Sequence, residues 1–176
     1  MTGYKETSEK LNKTLLLIIT LLNDNNIDKW FVCYGTLLGL VRENSCIDND
    51  DDIDIIIEKG HFDIVKKILH DNGFCFEYGY LIGDTRKIIK TKVTSMYSTI
   101  DIYMGEFNGE NVVDLWNILD IKDCFIDSEN KKLVEKMWNG QKVYFPNNYE
   151  RILLNRYGCT WKIKIDKKIK QTMTVL

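Results

Sequence analysis

The segment that most constrains this chain is residues 50–57, DDDIDIII, where a run of acids passes directly into isoleucine. Side chains alternate between the two faces of a strand, so Asp52 and Asp54 project together while Ile53 and Ile55 point the other way. Isoleucine on both faces for most of the length requires a central strand covered on both sides. Two carboxylates at the start of such a strand repel one another and are costly to desolvate unless a cation lies between them. A hard divalent ion with oxygen ligands, Mg2+ first and Mn2+ as the alternative, answers both problems.

A chain of 176 residues with 44% hydrophobic and 28% charged residues has the length for a real core and the balance of a soluble globular protein. One domain over 1–176 is expected, since no internal repeat and no Pro/Ser/Gly-rich linker divides it. The net charge of −2, with acids and bases interspersed, leaves no electrostatic footprint for nucleic acid. The most apolar run, residues 15–22, follows Lys5, Lys10 and Lys13 as a signal peptide would. It has no small-residue cleavage site, however, and falls short of the roughly 18 apolar residues that a bilayer span needs. It reads as a core helix, and no transmembrane segment is expected. The cysteines at 33, 46, 75, 124 and 159 are odd in number and lack a C-x-x-C spacing, which argues against a disulfide framework and a zinc site. Free thiols in a reducing, cytoplasmic compartment follow.

Apolar residues at Leu11, Leu15, Ile18, Ile19 and Leu22 recur at helical spacing and predict a helix over 6–22. Residues 30–34 are β-forming, and Gly35-Thr36 breaks them into a short helix over 37–43; a loop over 44–50 precedes a strand over 52–58. Phe62, Val65, Ile68 and Leu69 predict a helix over 61–70 that closes at Asn72-Gly73. Strands are expected at 74–81 and 86–93 around a Gly83-Asp84 turn, and at 96–104 around Asp101. Residues 112–119 read as strand or helix, 120–132 are mostly polar, a short strand fits 142–145, and a helix over 149–157 ends at Gly158. The order gives one α/β or α+β domain.

Asp101, between Ile100 and Ile102, is a lone acid in an apolar strand and belongs with Asp52 and Asp54. Three carboxylates around Mg2+ suit phosphoryl or nucleotidyl transfer, where charge on the transferred phosphate must be neutralised. Gly35 permits close approach of the backbone to a phosphate, Thr36 and the amides of a helix start can donate to it, and Arg42 offers a planar fork of donors.

The stretch GTLLGLVRENSCIDNDDDIDI resembles the signature of the LicD family, whose relatives include fukutin and fukutin-related protein. The match runs through Gly35, Thr36, Gly39, Val41 and Arg42 to Asp50, Asp52 and Asp54, and continues at Ile100, Asp101 and Ile102. A closing pattern matches at Pro146, Tyr149, Leu153, Tyr157, Gly158 and Trp161. Asn49 stands where the family usually has tryptophan, residues 44–47 replace a basic-Gly loop, and the middle of the chain is short. The resemblance implies a nucleotidyltransferase-like mixed β-sheet flanked by helices. It also implies transfer of a phospho-alcohol, phosphocholine or an alditol phosphate, from a CDP-activated donor to a hydroxyl of a carbohydrate or glycoconjugate. On it, Asp52 and Asp54 would bind Mg2+, and Asp101 would complete the metal site and help take the acceptor proton. Asp50, an outer or alternative ligand, joins Gly35, Thr36 and Arg42 in the substrate-binding set, the latter three on donor phosphate.

Simpler roles stand beside these. The acids at 50–54 would be a solvated loop in the plainest case; an EF-hand counted from Asp48 fails, because it needs glycine where Ile53 stands and an acid where Lys59 stands. Asp51 faces opposite to its neighbours if the strand has begun, and reads as a solvated or capping residue. Arg42 can pair with the acid cluster, and Lys90 and Lys92 share a strand face that is either solvated or turned to donor phosphate. His61 and His70 read as the polar ends of a helix. Two other functions would use the same acids: nucleotidyl transfer from a nucleoside triphosphate with release of pyrophosphate, and a catalytically silent nucleotide- or metal-binding module.

Overall fold

The structure is a computed structural model that describes residues 5–164. Helix α1 (Ser8–Asp24) is capped by Thr7, whose hydroxyl accepts from the Lys10 amide at 3.2 Å, and it buries the predicted stripe Leu11, Leu15, Ile18, Ile19 and Leu22. Strand β1 (Trp30–Val32) leads into α2 (Tyr34–Glu43), and β2 (Asp52–Glu58) coincides with the predicted strand. Then come α3 (Phe62–Asp71), β3 (Ile88–Lys90), β4 (Thr99–Asn108), β5 (Asn111–Asp114), β6 (Leu119–Ile121), β7 (Val134–Trp138), β8 (Gln141–Phe145) and α4 (Tyr149–Tyr157). Among the described residues, no helix is long and apolar enough to cross a membrane. All five cysteines are free thiols.

The main sheet runs β1-β2-β4-β5-β6, with β3 also on β4. The pair β2–β4 is parallel and the other pairs are antiparallel, so the sheet is mixed and flanked by helices, as expected. Strand β4 is long enough to take β3 along 101–103 and β5 along 105–108. The handover falls at Gly105, where a Cβ would lie 2.6 Å from an Ile56 methyl. A separate hairpin, β7–β8, packs through β8 against α1 and β1.

Register assigns each strand residue a face. Trp30, Val32, Ile53, Ile55, Ile57, Ile89, Ile100 and Ile102 form one core with the apolar sides of α1 and α3 and with Trp138, Val143 and Phe145 of the hairpin. Phe31, Ile56, Ile88, Tyr103, Val112 and Ile121 form a smaller cluster on the opposite face with Cys124, Phe125 and Leu133. Asp52, Asp54, Lys90, Asp101 and Asp114 lie on this second face by the same alternation.

Five expectations need correction. Helix α2 starts at Tyr34, so Gly35 and Thr36 form its first turn rather than the break before it. Residues 74–81 do not form a strand: only the isolated bridge Phe76 to Thr91 forms, and Tyr78, Tyr80, Leu81 and Ile82 are exposed because no layer covers them. Strand β4 starts at Thr99, since Thr94 closes a turn by accepting the Met96 and Tyr97 amides on its hydroxyl. The strand expected at 86–93 is cut to β3, Ile88–Lys90. Residues 112–119, left open between strand and helix, hold the end of β5, a turn and the first residue of β6, while β7 lies in a stretch not assigned from sequence.

Candidate active site

Asp54 is only 7% exposed and is bound through main chain and side chain to the start of α2. The Cys33 amide donates to its carbonyl at 3.1 Å, and its own amide donates to Thr36 Oγ1 at 2.9 Å. Its carboxylate accepts from the Gly35 amide at 3.2 Å and from the Tyr103 hydroxyl at 3.0 Å. Gly35 and Thr36, which the sequence places on donor phosphate, are therefore engaged with Asp54 in this structure.

The two glycines of GTLLG exist for a related reason. A Cβ on Gly35 would stand 2.4 Å from Asp50 Oδ2, and one on Gly39 would stand 2.5 Å from the Ser45 carbonyl oxygen. Residues 44–51 can thus lie directly against α2. Glu6 and Ser8, just before and at the start of α1, hold this loop from the other side: Glu6 N–H donates to the Asp50 carbonyl at 2.8 Å, Asn49 N–H to the Glu6 carbonyl at 2.9 Å, and Ser8 N–H to Asp48 Oδ1 at 3.1 Å. Asn49 adopts φ +66°, a left-handed conformation that asparagine tolerates better than tryptophan does.

Oxygens of Asp50, Asp51 and Asp52 lie within 4.8 Å of one another, so Asp51 sits with its neighbours rather than apart. Asp54 and Asp101 are register partners on adjacent parallel strands, and Asp101 is 5% exposed. Lys90, the cross-strand partner of Asp101 on β3, donates to both its oxygens at 2.7 and 3.0 Å. Of the two roles open to Lys90, the structure therefore gives a third, an ion pair with the distal acid. Arg42 sits at the opposite end of α2 from Gly35, about 10 Å along the axis, and pairs with Glu43.

Burial pushes the Asp52 carboxyl up to about 7, reinforced by the charges of Asp101 and Asp51 and opposed by Lys90. Burial, with the charge of Asp52, holds Asp54 well above the usual carboxylate range although the Tyr103 hydrogen bond opposes the shift. Asp101 is also raised by burial, against the pull of Lys90. Clustered hard oxygen donors that resist carrying their charges together fit a divalent cation. Asp50, Asp51 and Asp52 offer the clustered oxygens, with Asp54 and Asp101 on the same sheet face.

The sequence did not point to Tyr34, Tyr103 or Asp114. Tyr34 begins α2 with φ +48°, strained for a non-glycine residue, and its hydroxyl donates to Asp114, which is fully buried. Asp114 also accepts from the amides of Trp116 at 2.9 Å and Asn117 at 3.0 Å and from the Asn117 side chain at 2.8 Å. Tyr34 in turn packs edge-on against Tyr103 at 5.3 Å. A chain of contacts thus runs from the end of β5 through Tyr34 and Tyr103 to Asp54. The only local signal is an Asp followed closely by Asn, as in an Asx-turn; the partner Tyr34 is 80 positions away.

Sequence comparison with curated proteins gives no significant match. Among solved structures, lincosamide antibiotic adenylyltransferase LnuA with lincomycin bound is similar in fold. Its TM-score is 0.58 at 15% identity, with 87% of this chain and 88% of that chain covered. A putative nucleotidyltransferase from Thermotoga maritima gives 0.48 at 13% identity, covering 97% and 93%. The family described as LicD/FKTN/FKRP, nucleotidyltransferase domain, matches residues 26–156, a span that includes Asp52, Asp54, Asp101 and both ends of the contact chain that reaches Asp54. The chain therefore belongs to the LicD family and has a nucleotidyltransferase fold.

Proposed function

We propose that the protein is a metal-dependent transferase that moves a phospho-alcohol, such as phosphocholine or an alditol phosphate, from a CDP-activated donor to a glycan hydroxyl. Family membership supports transferase chemistry. The observation that carries the reading is the placement of Asp52, Asp54 and Asp101 on one sheet face, with Asp54 fixed by the first turn of α2. Asp52 and Asp54, with Asp50 and Asp51 beside them, would hold Mg2+ or Mn2+, which when bound neutralises charge on the transferred phosphate. Asp101, raised by burial and held in place by Lys90, is suited to accept the proton of the attacking hydroxyl. Arg42, which engages Glu43 through Nε and Nη2, would meet donor phosphate through its remaining guanidinium nitrogen. We read the whole chain as one catalytic domain, and its free thiols suit a cytoplasmic setting.

A second reading, nucleotidyl transfer from a triphosphate, is favoured by the shared fold with an adenylyltransferase. Incubation with CDP-choline, CDP-ribitol, CDP-glycerol and each nucleoside triphosphate in Mg2+ separates them. Release of CMP from a CDP donor is expected. Pyrophosphate release with no CMP supports the second reading, and binding without any turnover identifies a silent module.

A further inference from the structure

A cavity of about 350 Å3 opens on the sheet face that carries the acids, between the start of α2, β6 and α4. Phe31, Leu37, Ile121 and Ile152 give it an apolar floor, while Asn155 and Arg156 of α4 stand at its edge. Phe31 and Cys33 line it at the β1 end of the sheet and Leu119, Asp120 and Ile121 at the β6 end, so it reaches across the face on which Asp54 and Asp101 lie. The Arg156 guanidinium carbon sits 4.1 Å from the centre of the Tyr34 ring, the ring that begins α2 beside Asp54. The neighbouring bases are already drawn to acids, Arg151 to Asp123 and Lys122 to Asp120, whereas Arg156 stacks on Tyr34 and Tyr157.

We propose that this cavity holds the nucleoside end of the donor, base on the apolar floor, with Arg156 facing the phosphate of the departing nucleoside monophosphate. The inference rests on the transfer reading above. Its size is at the lower end for ligand pockets, enough for a nucleoside and too small for an oligosaccharide. A flat base can lie against the apolar floor, and polar side chains of the lining, among them Asn148 and Asn155, can meet the ribose hydroxyls. Attacking and leaving oxygens lie roughly in line across the phosphorus. In the step itself the acceptor oxygen bonds to the distal phosphorus and the phosphoanhydride P–O bond breaks. The proton passes to Asp101, and the electron pair leaves with the nucleoside monophosphate.

The test is equilibrium binding of CMP, cytidine and inorganic phosphate to the wild type, Asn155→Trp and Arg156→Ala. Both positions are exposed, so both variants should fold, which their melting temperatures check. Each substitution should weaken CMP at least about tenfold, equivalent to about 1.4 kcal/mol. Asn155→Trp should weaken cytidine as well, and Arg156→Ala should not, while the Mg2+-induced rise in melting temperature stays in both. CMP affinity equal in all three proteins overturns the proposal, as does a wild type that fails to bind CMP at millimolar concentration. If the wild type instead releases pyrophosphate from a triphosphate, the transfer reading falls. The same series with the corresponding nucleoside monophosphate then still decides the cavity.

Discussion

At the scale of single residues, Asp52 and Asp54 are destabilising features kept at a buried site. The sign for Asp52 follows from its shift from an ordinary 3.8 to about 7: the folded chain holds the proton more tightly than the unfolded chain does. Its contribution to stability is therefore fully present below about 4 and is lost as pH rises through about 7. Carboxylates held low by partners, such as Asp84 and Asp127, titrate below this window and do not mask it. The metal-free protein should thus lose melting temperature between about pH 4 and 7. Asp52→Asn should flatten that slope, raise the melting temperature at pH 8 and abolish turnover; a metal-free stability that climbs over this range would count against the buried pair. That Asp52 and Asp54 share a sheet face was legible in the sequence because strand alternation is a strictly local rule, whereas Asp101 was grouped with them only as a lone acid in an apolar strand. Lys90 as the partner of Asp101, and Asp114 as the partner of Tyr34, were not legible, because cross-strand register and an 80-residue separation are set by the tertiary fold.

At the scale of elements, α2 shows why the site sits where it does. Its first turn grips Asp54 and its middle leaves room for residues 44–51, so one short helix positions both the acid and the loop that precedes it. Glycine inside a helix normally costs up to about 1 kcal/mol relative to alanine, so Gly39→Ala would stabilise an isolated helix. Here the added methyl meets the Ser45 carbonyl oxygen at 2.5 Å, a backbone atom. Overpacking of about 1–3 kcal/mol should win, giving a net loss of stability in chemical denaturation, with turnover falling as the acid loop shifts. An unchanged or raised midpoint would show that the loop can move away freely. Elements with a strong period, α1, β2, α3 and α4, were read from sequence close to their true bounds. Residues 74–81 misled because apolar alternation specifies a strand only where a layer exists to bury one side. The hairpin strand β7 escaped notice since Glu135 and Lys136 interrupt its apolar character and Met137 is exposed.

At the scale of the whole molecule, the site lies where the residues before α1, α2, β2, β3 and β4 meet, so whatever cation occupies it ties these segments together. The unfolded chain has no such arrangement and gains nothing from the ion. Mass action then converts site occupancy into global stability, about 2.7 kcal/mol when Mg2+ is 100-fold above its dissociation constant. For a chain of this size each kcal/mol moves the midpoint roughly 2–4 °C, so a rise of about 5–10 °C is expected on titrating Mg2+ into chelator-treated protein. The rise should grow with the logarithm of ion concentration beyond saturation and reverse on adding EDTA. Asp52→Asn and Asp54→Asn should abolish it, while Glu135→Gln, on the β7–β8 hairpin, should retain it. Equal rises in all three variants would mean that Mg2+ acts through general surface charge, and the acids would then be a structural cluster rather than a metal site.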